Sequence, residues 1–351
     1  MFNTRILLLC LFITICFTTS SSNAAPPRYR IDNLVNKNTL SADENKRISQ
    51  YATGWARALD TTDTTELFAA RQRLIGPLEA DAEMSPYVRS LYCSGVMEGL
   101  EPLLDPNNTN EMGLVNALQV LSVIGTEQTS RVLLNTADSE DEERDSARLW
   151  ASIGIGKSFT VGVLPLRRIK SDANLLSNCI DREPSWYVIA EQFSALAAMQ
   201  QTPNLDARQR EELGSLSLKL QTDGVASLID SVRKTGTIDE RVLALSVALP
   251  SIRIQLIDPD LDRDARDKSQ AALVLPLSDL VAMAVEQAEA VKDNEMLFRA
   301  YGQTINVAGL IVDRELALAS DGRVSLSAYW EDGNTLAISD RVAQWKKKSK
   351  N

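Results

Sequence analysis

The sequence predicts an all-α protein built of stacked antiparallel helix pairs, and three observations carry that prediction. Apolar residues recur every three or four positions nearly all the way from Ser41 to the carboxyl terminus. Capping residues, glycines and prolines break that rhythm at short intervals. The chain is 44% hydrophobic but only 5% aromatic, so Ala, Leu, Val and Ser do the packing. That composition suits closely approaching helices better than a β-sandwich.

Ahead of the helices, residues 1–24 read as a cleaved export signal. Arg5 is the only charge, an apolar run follows to Phe17, and small residues lead to Ala24. The apolar run is too short to cross a bilayer, which needs about 20 residues, so the mature chain is expected to be exported and to keep no transmembrane span. Residues 25–45, with Pro26 and Pro27, read as a linker or amino-terminal arm. Residues 46–320 read as one helical repeat domain, and residues 321–351 as a carboxyl-terminal segment with a final helix and a basic tail.

Ser41 and Glu44 form a capping box that opens a helix carrying Ile48, Tyr51, Trp55 and Leu59 on one face. Residues 61–65 break it. A second helix is expected over 66–78 and a third over 84–104, with Pro86 near its start and Pro102 near its end. Leu114, Leu118 and Leu121 begin a further helix that Gly125 stops. Another starts near Thr129. An acidic run from Asp138 to Asp145 leads into a helix over 144–159, with Ala147, Trp150 and Ile153 facing inward. Later helices are expected over 187–199 and 206–220, and Val225, Leu228, Ile229 and Val232 make a separate face. Asp239 and Glu240 open a helix that Pro250 closes. Residues 271–291 form a helix that Pro276 ends or kinks, and 295–318 a long one containing Gly302 and Gly309. Residues 321–330 are expected to be extended, and 334–347 to be the last helix.

Over residues 114–157 the pattern resembles HEAT-like repeats. Ala117, Leu118, Leu121, Ile124 and Gly125 resemble the end of a first helix, Val132 to Leu134 its partner, and Asp138, Arg144 and Ala147 the turn into the next unit. Ala117 and Ala147 are 30 residues apart, and Gly125 and Gly154 are 29 apart. Helix-pair repeats have periods of about 30–47 residues. The resemblance implies an α-solenoid whose concave surface serves protein–protein contact, and it brings no catalytic residues.

Charge and residue usage narrow the function. The formal net charge is −10, with 37 basic against 47 acidic residues, which leaves no basic face for nucleic acid. Lys346, Lys347, Lys348 and Lys350 form the one basic run, read as a solvated tail. Histidine is absent, so a Ser-His-Asp or Cys-His site and a His-ligated zinc are impossible within this chain. Cys93 and Cys179 survive signal removal, and the sequence leaves open whether they pair or sit apart as small buried hydrophobes.

Three motifs resemble known sites. Ala151, Gly156, Lys157 and Ser158 fit a relaxed phosphate loop, but a charged helix start precedes them where a strand is required. Asp258, Asp260, Asp262 and Asp264 resemble a calcium loop, yet Arg263 stands at the glycine position and Ser269 at the glutamate position, so the stretch reads as a capped turn. Asn107 to Thr109 matches a glycosylation acceptor and reads equally as a turn. No catalytic, cofactor-binding or metal-ligating residue is assigned, and no cofactor is expected. The expected function is an exported, non-catalytic scaffold with another protein as its partner. The alternative is an exported enzyme using paired carboxylates on carbohydrate or another polymer, which needs a deep acidic cleft lined by Trp or Tyr. Trp55, Trp150, Trp186, Trp330 and Trp345 are the available tryptophans, and several of them sit on core faces.

Overall fold

The computed structural model describes residues 25–79, 83–236, 239–318 and 324–350. The expected export signal at 1–24 lies outside them. Among the described residues the chain is all-helical, without a strand. The helices are α1 (Ala42–Arg57), α2 (Thr64–Ile75), α3 (Pro86–Leu100), α4 (Glu111–Ile124), α5 (Glu127–Ala137), α6 (Asp145–Val161), α7 (Leu166–Ser177), α8 (Trp186–Ala198), α9 (Ala207–Thr235), α10 (Val242–Ile257), α11 (Arg263–Val291), α12 (Glu295–Glu315), α13 (Leu326–Glu331) and α14 (Thr335–Lys348).

Local chemistry sets most of the boundaries. Ser41 and Glu44 form the expected capping box of α1. Thr126 caps α5 and Asp206 caps α9 in the same reciprocal way. Each such cap is worth about 1 kcal/mol. Gly125 ends α4 at φ 62° and Gly162 ends α6 at φ 79°, a left-handed conformation that costs glycine little. Gly154, by contrast, lies inside α6. The 29-residue match between Gly125 and Gly154 is therefore not a structural repeat, because the equivalent helix end is Gly162.

The helices alternate between two layers. Helices α1, α3, α5, α7, α9 and α11 follow one another in the first layer, with α14 on α11; α2, α4, α6, α8, α10 and α12 follow in the second, with α13 on α12. Every substantial helix contact joins chain neighbours or helices two places apart, except that α14 returns to α11. One continuous apolar core runs between the layers.

The residues at 25–40 are a docked arm rather than a linker. Ile31, Leu34 and Val35 are buried, Ser85 N–H donates to the Val35 carbonyl at 2.8 Å, and Ser85 Oγ donates to the Lys37 carbonyl at 2.7 Å. The opposite end is closed by Trp330 and Trp345, both buried. Trp330 stacks on Phe298 and Tyr301 with centroids 5.1 and 6.0 Å away. A Cβ at Gly302 would come within 3.0 Å of Trp330, so that glycine makes room for the ring.

Several expectations need correction. Pro250 lies inside α10 and does not close it; Pro276 lies inside α11, so of the two expected outcomes there the helix does not end. Each proline costs about 3 kcal/mol locally. Burial of Leu249 and Ile252 in α10, and of Leu273 and Leu277 in α11, overrides that cost. Residues 207–235 are one 29-residue helix, not two segments. Helix α7 was not anticipated, although Ile169, Ala173 and Leu176 are buried at helical spacing. Residues 326–331 are helical where an extended stretch was expected, and 321–323 lie outside the described residues. Trp150 and Ile153 are half-buried rather than core.

The crossing of α1 and α3 has no slack. A Cβ at Gly99 would lie 2.5 Å from Ala56 Cβ and 2.6 Å from the Thr53 carbonyl oxygen, while one at Gly76 would meet nothing within 4 Å. Gly99→Ala is expected to destabilise the fold by about 1–3 kcal/mol in urea unfolding, because backbone must move. Gly76→Ala, at a helical φ of −48°, is expected to be neutral or stabilising by up to about 1 kcal/mol.

Candidate functional site

The most prominent surface feature lies on the second layer, where α8, α10 and α12 run side by side. Surface helices ordinarily turn charged residues to water. Helix α10 does not. Its exposed positions are Val247, Pro250, Ile254 and Ile257, spaced i, i+3, i+7 and i+10 along one stripe. Val247 is 49%, Ile254 63% and Ile257 43% exposed. Arg253 is the only charged residue between 242 and 257. Beside it, α12 exposes Met296, Arg299, Gln303, Leu310 and Arg314.

Two hollows lie along this face. One, of about 750 Å³, is lined at the amino ends of α8, α10 and α12 by Trp186, Leu243, Val247, Asp293, Glu295, Met296 and Arg299. The other, of about 310 Å³, is lined at the carboxyl ends of α10 and α12 by Arg253, Ile257, Leu310 and Arg314. Asp313 also lines the second, but its oxygens are engaged by Arg341 and by Trp345 Nε1 at 2.7 Å. A third hollow of about 480 Å³ lies between α12, α13 and α14, with Tyr329 and Asp340 in its wall.

At one edge, polar side chains stitch the loops that join the two layers. Asn110 Nδ2 donates to Asp60 at 2.9 Å, Arg144 to the Asn108 carbonyl at 2.8 Å, Arg182 to Asp138 at 3.1 Å and Arg241 to the Asp181 carbonyl at 3.3 Å. Each link joins one loop to the corresponding loop of the preceding pair. The strongest element of this edge is Arg148, buried with Glu183. Their side chains are 3% and 1% exposed and meet through two bonds, 2.8 and 3.0 Å long. Arg148 also reaches Asp145 at 2.6 Å and the Glu142 carbonyl at 2.9 Å. Burial pulls the Arg148 guanidinium down, but the carboxylates outweigh it and hold it above its ordinary range. Asp145 in turn accepts from the Tyr187 hydroxyl at 2.6 Å and the Ser185 hydroxyl at 2.8 Å. The Tyr187 bond, then those from Ser185 and Arg148, hold the Asp145 carboxyl below its usual value.

The sequence motifs are used structurally. Residues 151–158 lie inside α6, where the backbone amides belong to the helix and Ser158 Oγ donates to the Gly154 carbonyl at 2.9 Å. Gly154 and Gly156 admit Leu133 of α5 and Ala195 of α8 at close range. In the 258–264 stretch, Asp258 accepts from the Asp260 amide, Asp262 caps α11 and Asp264 pairs with Lys268. Among the described residues no group of three or more acidic or cysteine side chains gathers to hold a metal. Asn107 is exposed in a turn whose side chains bond within it. Cys93 and Cys179 are both free and buried. Burial pushes both thiols up, Cys179 to about 12, so neither is a nucleophile near neutral pH. The basic tail is partly docked: Lys346 pairs with Asp279 at 2.7 Å and Lys348 donates to the Leu316 carbonyl.

Three carboxylates are pushed upward, each by burial first: Asp172 on α7, Glu191 on α8 and Glu315 on α12. Asp172 is fully buried between Ser130 and Arg168. None of the three lines the hollows described above. The exposed stripe of α10 escaped the sequence reading, because ending the helix at Pro250 cut off Ile254 and Ile257. The single charge in sixteen residues was the available signal.

No protein-family model matches this chain, and no curated protein matches it significantly. The packing of many helix pairs is compatible with a helical repeat.

Removing one partner of the Arg148–Glu183 pair leaves a buried charge uncompensated. Arg148→Met is expected to cost about 3–5 kcal/mol in urea unfolding. Replacing both residues with Met is expected to cost less than the single change. Tyr187→Phe tests the Asp145 bond. A depressed carboxylate stabilises the fold above its ordinary value of 3.8, and that contribution is lost as pH falls through the folded value. The stability gap between wild type and Tyr187→Phe is therefore expected to be full at neutral pH and to close below about pH 4.

Proposed function

We propose that this chain is an exported, non-catalytic α-solenoid of HEAT-like character that holds another protein. The observation that supports it most is packing restricted to near neighbours along the chain. Such a stack can only grow lengthwise, so it presents long, rigid faces to a partner. Its ends are consistent with this: the docked arm covers α1 and α3, and α14 turns Asp340, Gln344 and Lys347 outward. Export rests on the sequence of residues 1–24.

Two measurements on the chain from Ala25 onward test the proposal. Small-angle scattering is expected to give a radius of gyration well above the value of about 20 Å for a compact chain of this size. A value near 20 Å overturns the solenoid. Affinity purification from the native exported fraction, read by mass spectrometry, is expected to retain one stoichiometric protein partner. A partner-free protein overturns the scaffold reading.

A further inference from the structure

We infer that the face formed by α10 and α12 binds an amphipathic helix of the partner protein, one whose apolar stripe is bordered by acidic side chains. This rests on the scaffold reading and adds to it a location and a chemistry.

The apolar part of the argument is the stripe Val247, Pro250, Ile254 and Ile257, continued on α12 by Met296 and Leu310. Scattered exposed apolar residues are ordinary, but a helix whose exposed positions are all apolar and contiguous marks a contact surface. The occupant is a helix for two reasons. Helices α10 and α12 offer no sheet edge to pair with an extended strand. The i, i+3, i+7 spacing on α10 matches the anchor spacing of a helix laid alongside. Met296 and Arg314 are eighteen residues apart on α12, about 27 Å at helical rise, which fits a partner helix of about five turns.

The charge comes from arginines along the same face. This is an acidic chain in which about half of the described arginines close ion pairs, and Arg253 makes no side-chain hydrogen bond or ion pair among the described residues. Arg314 acts on its neighbour Glu315 without closing an ion pair. Asp313, the acid between them, is held by Arg341 and Trp345. Arg299 pairs only with the exposed Glu295 of its own helix, a weak contact that a partner carboxylate can replace. At the carboxyl end of this face the apolar ridge is bordered by Arg253 and Arg314, which close no ion pair among the described residues, and this is complementary to an apolar stripe bordered by Asp or Glu; at the amino end Asp293 and Glu295 offset Arg299.

The test uses fluorescence anisotropy on the whole chain from Ala25 and two labelled synthetic 18-residue helices. They share one leucine stripe and differ only in flanking Glu or Lys. Wild type is expected to bind the Glu peptide at least about tenfold more tightly than the Lys peptide. Ile254→Glu, at an exposed site that folding tolerates, is expected to weaken the Glu peptide by about tenfold or more. The double change Arg253→Glu with Arg314→Glu is expected to reverse the preference. Equal affinity for the two peptides, binding of neither, or an unchanged affinity in Ile254→Glu overturns the inference. So does binding to anionic phospholipid vesicles in preference to either peptide. If these peptide results fail while the scattering and capture results hold, the scaffold stands and this face is excluded. If scattering shows a compact particle, the scaffold reading itself fails.

Discussion

A helix that is apolar on more than one side must find a neighbour on each of them. Among the described residues the substantial neighbours are the adjacent helix and the one two places along, apart from α14 on α11. That constraint explains why the glycines sit where they do. Gly95 and Gly99 let α3 come down on Ala52 and Ala56 of α1, and Gly156 lets α6 approach Ala195 of α8. Small residues at these crossings take the place that large aromatics fill in other cores. The two buried tryptophans, Trp330 of α13 and Trp345 of α14, lie at the carboxyl-terminal end, while Tyr92, Phe159 and Phe193 fill the core farther back.

Apolar burial between neighbours does not by itself fix how one pair sits on the next. The polar links between successive loops supply that register. Arg182 with Asp138 and Arg241 with the Asp181 carbonyl act at one edge only, so they pin rotation about the stacking direction. Buried charge is costly to desolvate, and Arg148 with Glu183 is tolerated because every polar atom around it is satisfied, down to the Ser185 amide on Glu183 at 2.9 Å. Within the acidic run that leads into α6, Asp138, Glu142 and Asp145 are part of this edge.

Among the described residues nothing covers the outer side of the second layer, and on α10 that side is apolar. Such a face is not an error of folding, since the core beneath it is complete: Leu245, Leu249 and Ile252 are fully buried on the other side of the same helix. The exposed residues are thus surplus to stability.

The sequence by itself determined the all-helical class, most helix starts and the absence of histidine chemistry. Caps and glycine stops are local: Ser41, Thr126 and Gly125 act within a few residues, so they are readable along the chain. Tertiary structure decided the rest, for reasons that are not local. Helices continue through Pro250 and Pro276 because burial on both sides exceeds the local penalty. Gly154 and Gly156 mimic a phosphate loop in sequence, and only the arrival of α5 and α8 shows that they are there for close packing. The pairing of Arg148 with Glu183 spans 35 residues, and no spacing rule announces it. The exposed stripe of α10 became visible only once its neighbours had claimed the other sides of the helix, because apolar periodicity alone does not say which face meets water.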